Sequence, residues 1–338
     1  MLAMLSILRP ELYHGKNKRP PFFEGWYFKL VDRTETRRYA VIPGVFLHSD
    51  PALQHAFIQV LDGSAGSSHY HRFPFPEFES KRDSFDIRIG GSRMTNTGLM
   101  LRIDRDGQSV VGDLSFKGTT PWPVSLASPG IMGWYSWAPF MECYHGVLSL
   151  DHEIEGSLTV NGQEMDFSGG RGYVEKDWGK SFPHAHIWMQ SNHFDSPGIS
   201  LTASVAIIPW IRTSFPGFIV GLLLNGRLYR FATYTGATTT HLEILDRTII
   251  WTMRDRDYTL SLRATRSQGG LLHAPTVTEM THRLLESLTS TVDVTLTTNG
   301  GTLLFSATGR NAGLEIGGSI DELIALWQSE RAGEAHRS

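Results

Sequence analysis

The sequence predicts an all-β chain: two consecutive antiparallel β-barrel domains followed by a short C-terminal helix. Three observations carry that prediction. Short runs rich in β-branched and aromatic residues recur along the 338 residues, each bounded by turn residues. Asn-Gly and Asp-Gly turns separate several of them. Only one stretch, at the end, carries a convincing helical stripe. Many short strands with little helix pack as barrels or sandwiches, and two successive barrels suit this length.

In chain order, Pro20–Asp32 (PPFFEGWYFKLVD) opens the strands, with Glu24, Trp26, Phe28 and Leu30 on one face and Phe23, Tyr27 and Lys29 opposite. Tyr39–Leu47, His55–Leu61, Phe85–Ile89, Leu99–Ile103 and Val147–Leu150 follow, with a turn at Asp104–Gly107. Ser157–Phe167 folds back on itself around Asn161–Gly162. The glycine-rich Ser168–Gly172 reads as the join, which gives domains 20–168 and 169–330. Beyond it, His186, Trp188, Gln190, Asn192 and Phe194 fall on every second position, and Ile187, Met189, Ser191 and His193 point the other way. An aromatic, amide-rich face of that kind reads as a pocket wall, or as a buried strand whose amides satisfy backbone groups. Strands continue at Ser200–Ile208, Gly217–Leu224, Arg227–Thr235, Leu242–Ile244, Ile249–Arg254, Tyr258–Ala264, Thr291–Thr297 and Leu303–Ala307. Thr276–Leu288 is ambiguous. Ile320–Glu330 is the helix, capped near Ser319 or Asp321, with Leu323, Ile324 and Trp327 on one stripe.

Composition removes several function classes. A net charge of −3 and no basic run longer than Lys16–Arg19 argue against nucleic acid. The single cysteine, Cys143, forms no internal disulfide, which fits a reducing compartment. Its spacing from His145 would suit a thiol nucleophile, although a buried structural cysteine fits better. The start of the chain, MLAMLSILRPELYHG, lacks the basic flank and small-residue site of a secretory signal. No apolar run is long enough to span a bilayer, so a cytoplasmic location is expected. Two uncharged stretches, Gly118–Met141 and Thr213–Asn225, read as the lining of an apolar cavity or as a peripheral membrane contact.

Nucleotide and serine-nucleophile motifs are absent from the sequence. His69 with His71, and His184 with His186, have the strand spacing of metal ligands, but 14 histidines make chance pairs frequent and no metal is expected. Glu24, two residues from Trp26, would have its pKa raised by apolar burial and so act as a proton donor, unless it lies on the surface.

Four ordered blocks then stand out: Phe22–Lys29 (FFEGWYFK), Pro139–Gly146 (PFMECYHG), Gly169–Pro183 (GGRGYVEKDWGKSFP) and Trp188–His193 (WMQSNH). Together they resemble the tocopherol cyclase family, and Gly313–Gly318 (GLEIGG) resembles a further family segment. The resemblance implies two lipocalin-like domains and kinship with carotenoid 1,2-hydratases. It also implies closure of a prenylated quinol to a chromanol, without a cofactor, by adding a phenol across an alkene. Protonating that alkene leaves a tertiary cation, so the chemistry needs a buried acid, aromatic faces and exclusion of water. Asp177, Glu175 and Glu24 are the candidate acids, with Asp177 or Glu175 favoured. Trp26, Trp178 and Trp188 are the candidate cation stabilisers; Gln190, Asn192 and His145 are candidates for holding the quinol hydroxyls; Tyr27 joins the substrate surface. Lys176 is expected to partner a carboxylate. Two other readings stand beside the cyclase: an isoprenoid or carotenoid alkene hydratase, and a non-catalytic carrier of a hydrophobic ligand.

Overall fold

A computed structural model describes residues 6–335 of the chain, with side chains through 332; the apolar start, Met1–Leu5, lies outside the described residues. The chain divides into two units, Met1–Phe182 with Gly270–Arg283, and Pro183–Gly269 with Leu284–Ser338. The first contains β1 (Phe22–Val31), β2 (Arg38–Leu47), β3 (His55–Asp62), β4 (Ser67–Pro74), β5 (Phe78–Ser80) and β6 (Asp86–Ile89). It continues with β7 (Ser92–Thr95), β8 (Gly98–Arg105), β9 (Gln108–Lys117), β10 (Cys143–Val160), β11 (Gln163–Asp166) and β12 (Gly170–Gly179). Next come β13 (Ala185–Ser191), β14 (Ser200–Trp210), β15 (Thr213–Leu224), β16 (Arg227–Ala232), β17 (Thr238–Ile244), β18 (Thr248–Arg254) and β19 (Tyr258–Thr265). The last are β20 (Gly270–Pro275), β21 (Met280–Thr298), β22 (Leu303–Gly318) and the helix α1 (Ile320–Ala335). The all-β class and the C-terminal helix are therefore as the sequence predicts.

In the first unit the strands run β4-β3-β2-β1-β12-β10-β9-β8-β7-β6-β5, with β11 on β10. That ladder is an open path. Even so, Phe73 of β4, Phe28 of β1, Val174 of β12, Leu101 of β8 and Ile87 of β6 share one buried core. The sheet is rolled around its apolar face rather than closed by a ladder among the described residues. The second sheet runs β16-β15-β14-β13-β22-β21-β19-β18-β17 and encloses a core with Trp251, Phe231, Leu222 and Met189. Trp327 and Leu323 of α1 join that core.

Turn chemistry sets the registers. Asn161 and Gly162 adopt φ of 50° and 82°, the left-handed pair that a tight hairpin requires, and Val160 pairs with Gln163 across them. Backbone N–H groups of Glu322 and Leu323 donate to the Ser319 carbonyl, which starts α1 where expected.

Three differences from the sequence reading matter. The join differs, because β12 does not open the second half; it pairs with β1 and β10 inside the first sheet. Its glycines signal close approach, since a Cβ on Gly170 would lie 2.3 Å from the Val31 carbonyl oxygen. Thr276–Leu288 contributes to a long strand, β21. Thr213–Asn225 is uncharged because β15 lies between β14 and β16 and sends Phe218, Val220 and Leu222 into the core. Of the other uncharged stretch, Trp122 and Val124 border a cavity of about 160 Å³ in the first unit. No helix among the described residues is long and apolar enough to cross a membrane.

Charge placement gives one stability prediction. Arg93 grips Asp86 with two bonds of 2.9 Å across the β6–β7 hairpin, and Lys81 adds a third contact at 2.8 Å. The Arg93 bond, helped by Lys81, outweighs burial and holds the Asp86 carboxyl down at about 2, below its ordinary 3.8. The folded state thus favours the carboxylate. Its contribution is present above 3.8 and lost as pH falls towards 2. Both cations are open to water, so Asp86→Asn should cost about 1 kcal/mol at neutral pH. In urea titrations, the gap between wild type and variant should close near pH 2.

Candidate active site

Strand β12 carries two opposite chemistries on its two faces, because side chains alternate along a strand. Its register with β1 pairs Glu24 with Trp178, Gly25 with Asp177, Trp26 with Lys176, Tyr27 with Glu175, and Lys29 with Tyr173. Glu24, Trp26, Lys176 and Trp178 therefore share one face, which continues into the core through Phe28 and Val174. Asp177, Glu175 and Tyr173 share the other.

On the core face Glu24 and Lys176 are both wholly buried and form an ion pair. Glu24 Oε2 also accepts the backbone N–H groups of His14, at 2.8 Å, and Gly15, at 3.1 Å. Lys176 Nζ donates to the Leu12 carbonyl at 2.6 Å and lies 4.6 Å and 4.8 Å from the ring centroids of Trp26 and Trp178. His14 stacks on Trp178 with centroids 4.4 Å apart, Nδ1 3.2 Å from Lys176 Nζ and Nε2 3.2 Å from the Ser6 carbonyl. Burial and the Lys176 charge lower the His14 pKa. His14 Nδ1 also lies 3.3 Å from Glu24 Oε1, so the ring nitrogen stands between the carboxylate and the ammonium.

This corrects the expectation for Glu24. Burial does raise its pKa, but Lys176 and His14 more than offset that, and the carboxyl is held below its ordinary value. Glu24 is an anion with a partner, not a reserve of protons. Lys176 is the carboxylate partner the sequence suggests, and Trp26 and Trp178 flank its ammonium instead of lying on the face of Asp177.

The opposite face holds the acid–base groups. His145 on β10 pairs directly with Asp177, and its Nδ1–H donates to Asp177 Oδ1 at 2.8 Å. Its Nε2 lies 3.5 Å from Glu175 Oε2, and it is buried without a hydrogen bond among the described residues. The Tyr173 hydroxyl donates to Glu175 Oε2. Burial alone would push the imidazole down; the two carboxylates overcome it and raise His145 to about 9. At neutral pH the cluster is an imidazolium held between two carboxyl groups. Its three side chains offer ligand atoms within 4.8 Å of one another, a spacing that suits a cation. A cation there would have to displace the imidazole proton, because a protonated ring has no lone pair to give. Asp177 and His145 are half-buried, which leaves the cluster open on one side.

Tyr27 lies on this face, directly across from Glu175. Trp188, Gln190 and Asn192 are placed in the second unit. There Ile187 and Met189 enter the core while His186, Trp188 and Gln190 are buried on the other face of β13, as the alternation predicts. Phe194 departs from that pattern and joins the core: β13 ends at Ser191, and a bridge from His193 to Arg310 redirects the chain. His186 hydrogen-bonds Glu315 on β22, and His71 bonds Gln108 at 2.9 Å. Cys143 is half-buried at the start of β10. Sequence reasoning missed Tyr173 as a site residue. The signal was available, since it lies two residues before Glu175 and therefore on the same face.

A family match covers the blocks that hold His145, Tyr173, Glu175 and Asp177. The sequence model of the tocopherol cyclase-like family matches residues 88–318. A tocopherol cyclase, chloroplastic, of Zea mays is 25% identical over 321 residues, covering 78% of this chain and 67% of the relative. A probable tocopherol cyclase, chloroplastic, of Oryza sativa subsp. japonica is 23% identical over 319 residues, with the same shares. Among solved structures, CghA with Sch210972 superposes with a TM-score of 0.56 at 14% identity, covering 89% of each chain; the likeness is one of fold.

Proposed function

The chain belongs to the tocopherol cyclase-like family, and on that premise we propose that it closes a prenylated quinol, or a related isoprenoid phenol, to a chromanol-type ring without a cofactor. Membership supports an enzyme of the cyclase or hydratase kind acting on a hydrophobic small molecule. The observation that carries the finer reading is the imidazolium of His145 held between Asp177 and Glu175.

Ring closure is an isomerisation. The π bond of the alkene breaks, a C–H bond forms at one alkene carbon, a C–O bond forms at the other, and the phenol O–H bond breaks. One proton is given and one is taken back. A cluster that both stores and accepts a proton fits that balance and returns to its starting state each turnover. In this reading the proton delivered is the one the cluster holds on the His145 imidazolium, passed on through Asp177, the half-exposed member. Glu175, oriented by Tyr173, and His145 take the phenol proton. Tyr27 offers an aromatic face on the same side as Glu175, worth roughly 2 kcal/mol to a desolvated cation.

The test is incubation of the purified protein with a prenylated quinol in heavy water. The expected product has the mass of its isomer plus one carbon-bound deuterium, and a chromanol spectrum. A product heavier by one water would replace the cyclase with a hydratase. Intact recovery of the bound quinol would replace both with a carrier.

A further inference from the structure

The face that bears Asp177 has a glycine, Gly25, at its centre. Gly25 of β1 is the cross-strand partner of Asp177 on β12 and of Gly44 on β2. Along β1 the same face carries Phe23 two residues before Gly25 and Tyr27 two residues after. Phe23 is fixed by an edge-to-face contact with Phe182 at 5.4 Å. Strand rise puts the α-carbons of Phe23 and Tyr27 about 13 Å apart, with no side chain between them on that face. Asp177 flanks Gly25 on one side, with His145 beyond it on β10. Ile42 and Phe57 lie on the other, each 3.9 Å from where a Cβ on Gly25 would stand. Gly25, Ile42, Asp177 and His145 are all half-buried, so the niche is open.

Nothing in the backbone requires glycine at this position. Gly25 is not among the glycines with positive φ, and a Cβ there would make only ordinary van der Waals contacts. Glycine inside a strand weakens it, so its presence here calls for a reason other than the fold. A close approach by a flat ligand supplies one. The niche has an aromatic residue at each end, an acid–base cluster at one side and the Gly25 backbone as its floor, and on the β2 side it is closed by the Phe57 ring, which lies over Gly44.

We propose that Gly25 is a specificity-determining residue: it leaves a ring-sized space beside Asp177 in which the planar aromatic head group of the substrate lies. The inference rests on the cyclase reading and names what that reading leaves open, the seat of the ring. A hydroxyl on a ring lying over Gly25 would come to the edge that Asp177 and His145 border. Substituents on the ring would press on the strand floor, so bulk at position 25 and bulk on the ring compete for the same volume.

The experiment compares wild type with Gly25→Ala, using unprenylated hydroquinone and trimethylhydroquinone as probes that bind without reacting. The variant should fold with a melting temperature equal to or above that of wild type, because alanine relieves the cost of glycine in a strand. Calorimetry should show trimethylhydroquinone weakened roughly 10-fold or more and hydroquinone weakened less, the discrimination one methyl group can exert in a fitted pocket. Equal affinity of wild type and variant for both probes would overturn the niche and leave the cyclase reading standing. Failure of both probes to bind wild type would also overturn it. Weakened binding in the variant, together with no chromanol from a prenylated quinol, would keep the niche and remove the cyclase. A variant that failed to fold would show that glycine serves the strand, which overturns the inference by itself.

Discussion

Lys176→Met should destabilise the protein by about 3–5 kcal/mol, because it strands the Glu24 carboxylate in the core without its cation. At 2–4 °C per kcal/mol for a unit of this size, the melting temperature should fall by roughly 10 °C. The ion pair is only part of the loss. Lys176 also holds the Leu12 carbonyl and fills the space between the Trp26 and Trp178 rings, so the segment before β1 loses its anchor. The pH dependence separates this account from simple loss of packing. In wild type the Glu24 pKa is lowered, so its contribution is present above the ordinary 4.5 and lost as pH falls through the folded value. With Lys176 gone, burial governs and pushes that pKa up, so the variant should gain stability on mild acidification while wild type does not. Urea midpoints between pH 7 and 5 read the difference directly. A second substitution, Glu24→Gln, should recover part of the loss, since it removes the stranded charge yet keeps an oxygen for the His14 and Gly15 N–H groups. A flat pH response in Lys176→Met would show that the pair matters through volume alone.

That ion pair also marks where sequence reasoning ends. The alternation in Glu175–Lys176–Asp177 already places two carboxylates on one face of a strand and the lysine on the other. Nothing local says which face is buried in the core, because that depends on a partner strand some 150 residues earlier in the chain. Once β1 and β12 pair, Lys176 comes beside Trp26 and next to Glu24, and a carboxyl that looked like a buried acid becomes a salt bridge. The same pairing explains the misplaced join. Ser168–Gly172 reads as a join in one dimension, whereas in three the β12 glycines are contact points between strands. Hairpins around Asn161–Gly162 and Asn225–Gly226 were legible because turn chemistry is local. The meeting of His145 with Asp177 was not, since two sequence blocks had to be put in register before one cluster existed.

The proton cluster should respond to mutation in rate rather than in binding. Asp177→Asn keeps size and shape but leaves no carboxylate to accept the His145 proton and pass it on, and kcat should fall by about 10²- to 10⁴-fold. Hydroquinone affinity should stay within a few-fold of wild type, because an amide can still hold a hydroxyl. His145→Gln should lower kcat over a similar range by removing the group that holds the proton. The pH profile gives the role that a merely structural residue would not show. His145 titrates near 9, so wild-type kcat should fall above that pH as the imidazolium is lost. Asp177→Asn removes one of the two carboxylates that hold the value up against burial, so the residual activity should fall off at a lower pH. Stability moves in the same sense: a raised histidine pKa contributes fully below 6.5 and is lost as pH rises through about 9. Rates should therefore be taken well below the melting temperature, with circular dichroism at each pH to show that the chain is folded. A break near 9 that persists unchanged in both variants would remove His145 from the mechanism. Full activity in Asp177→Asn would pass the role of acid to Glu175, and Glu175→Gln would then be the variant that loses turnover while keeping the ring.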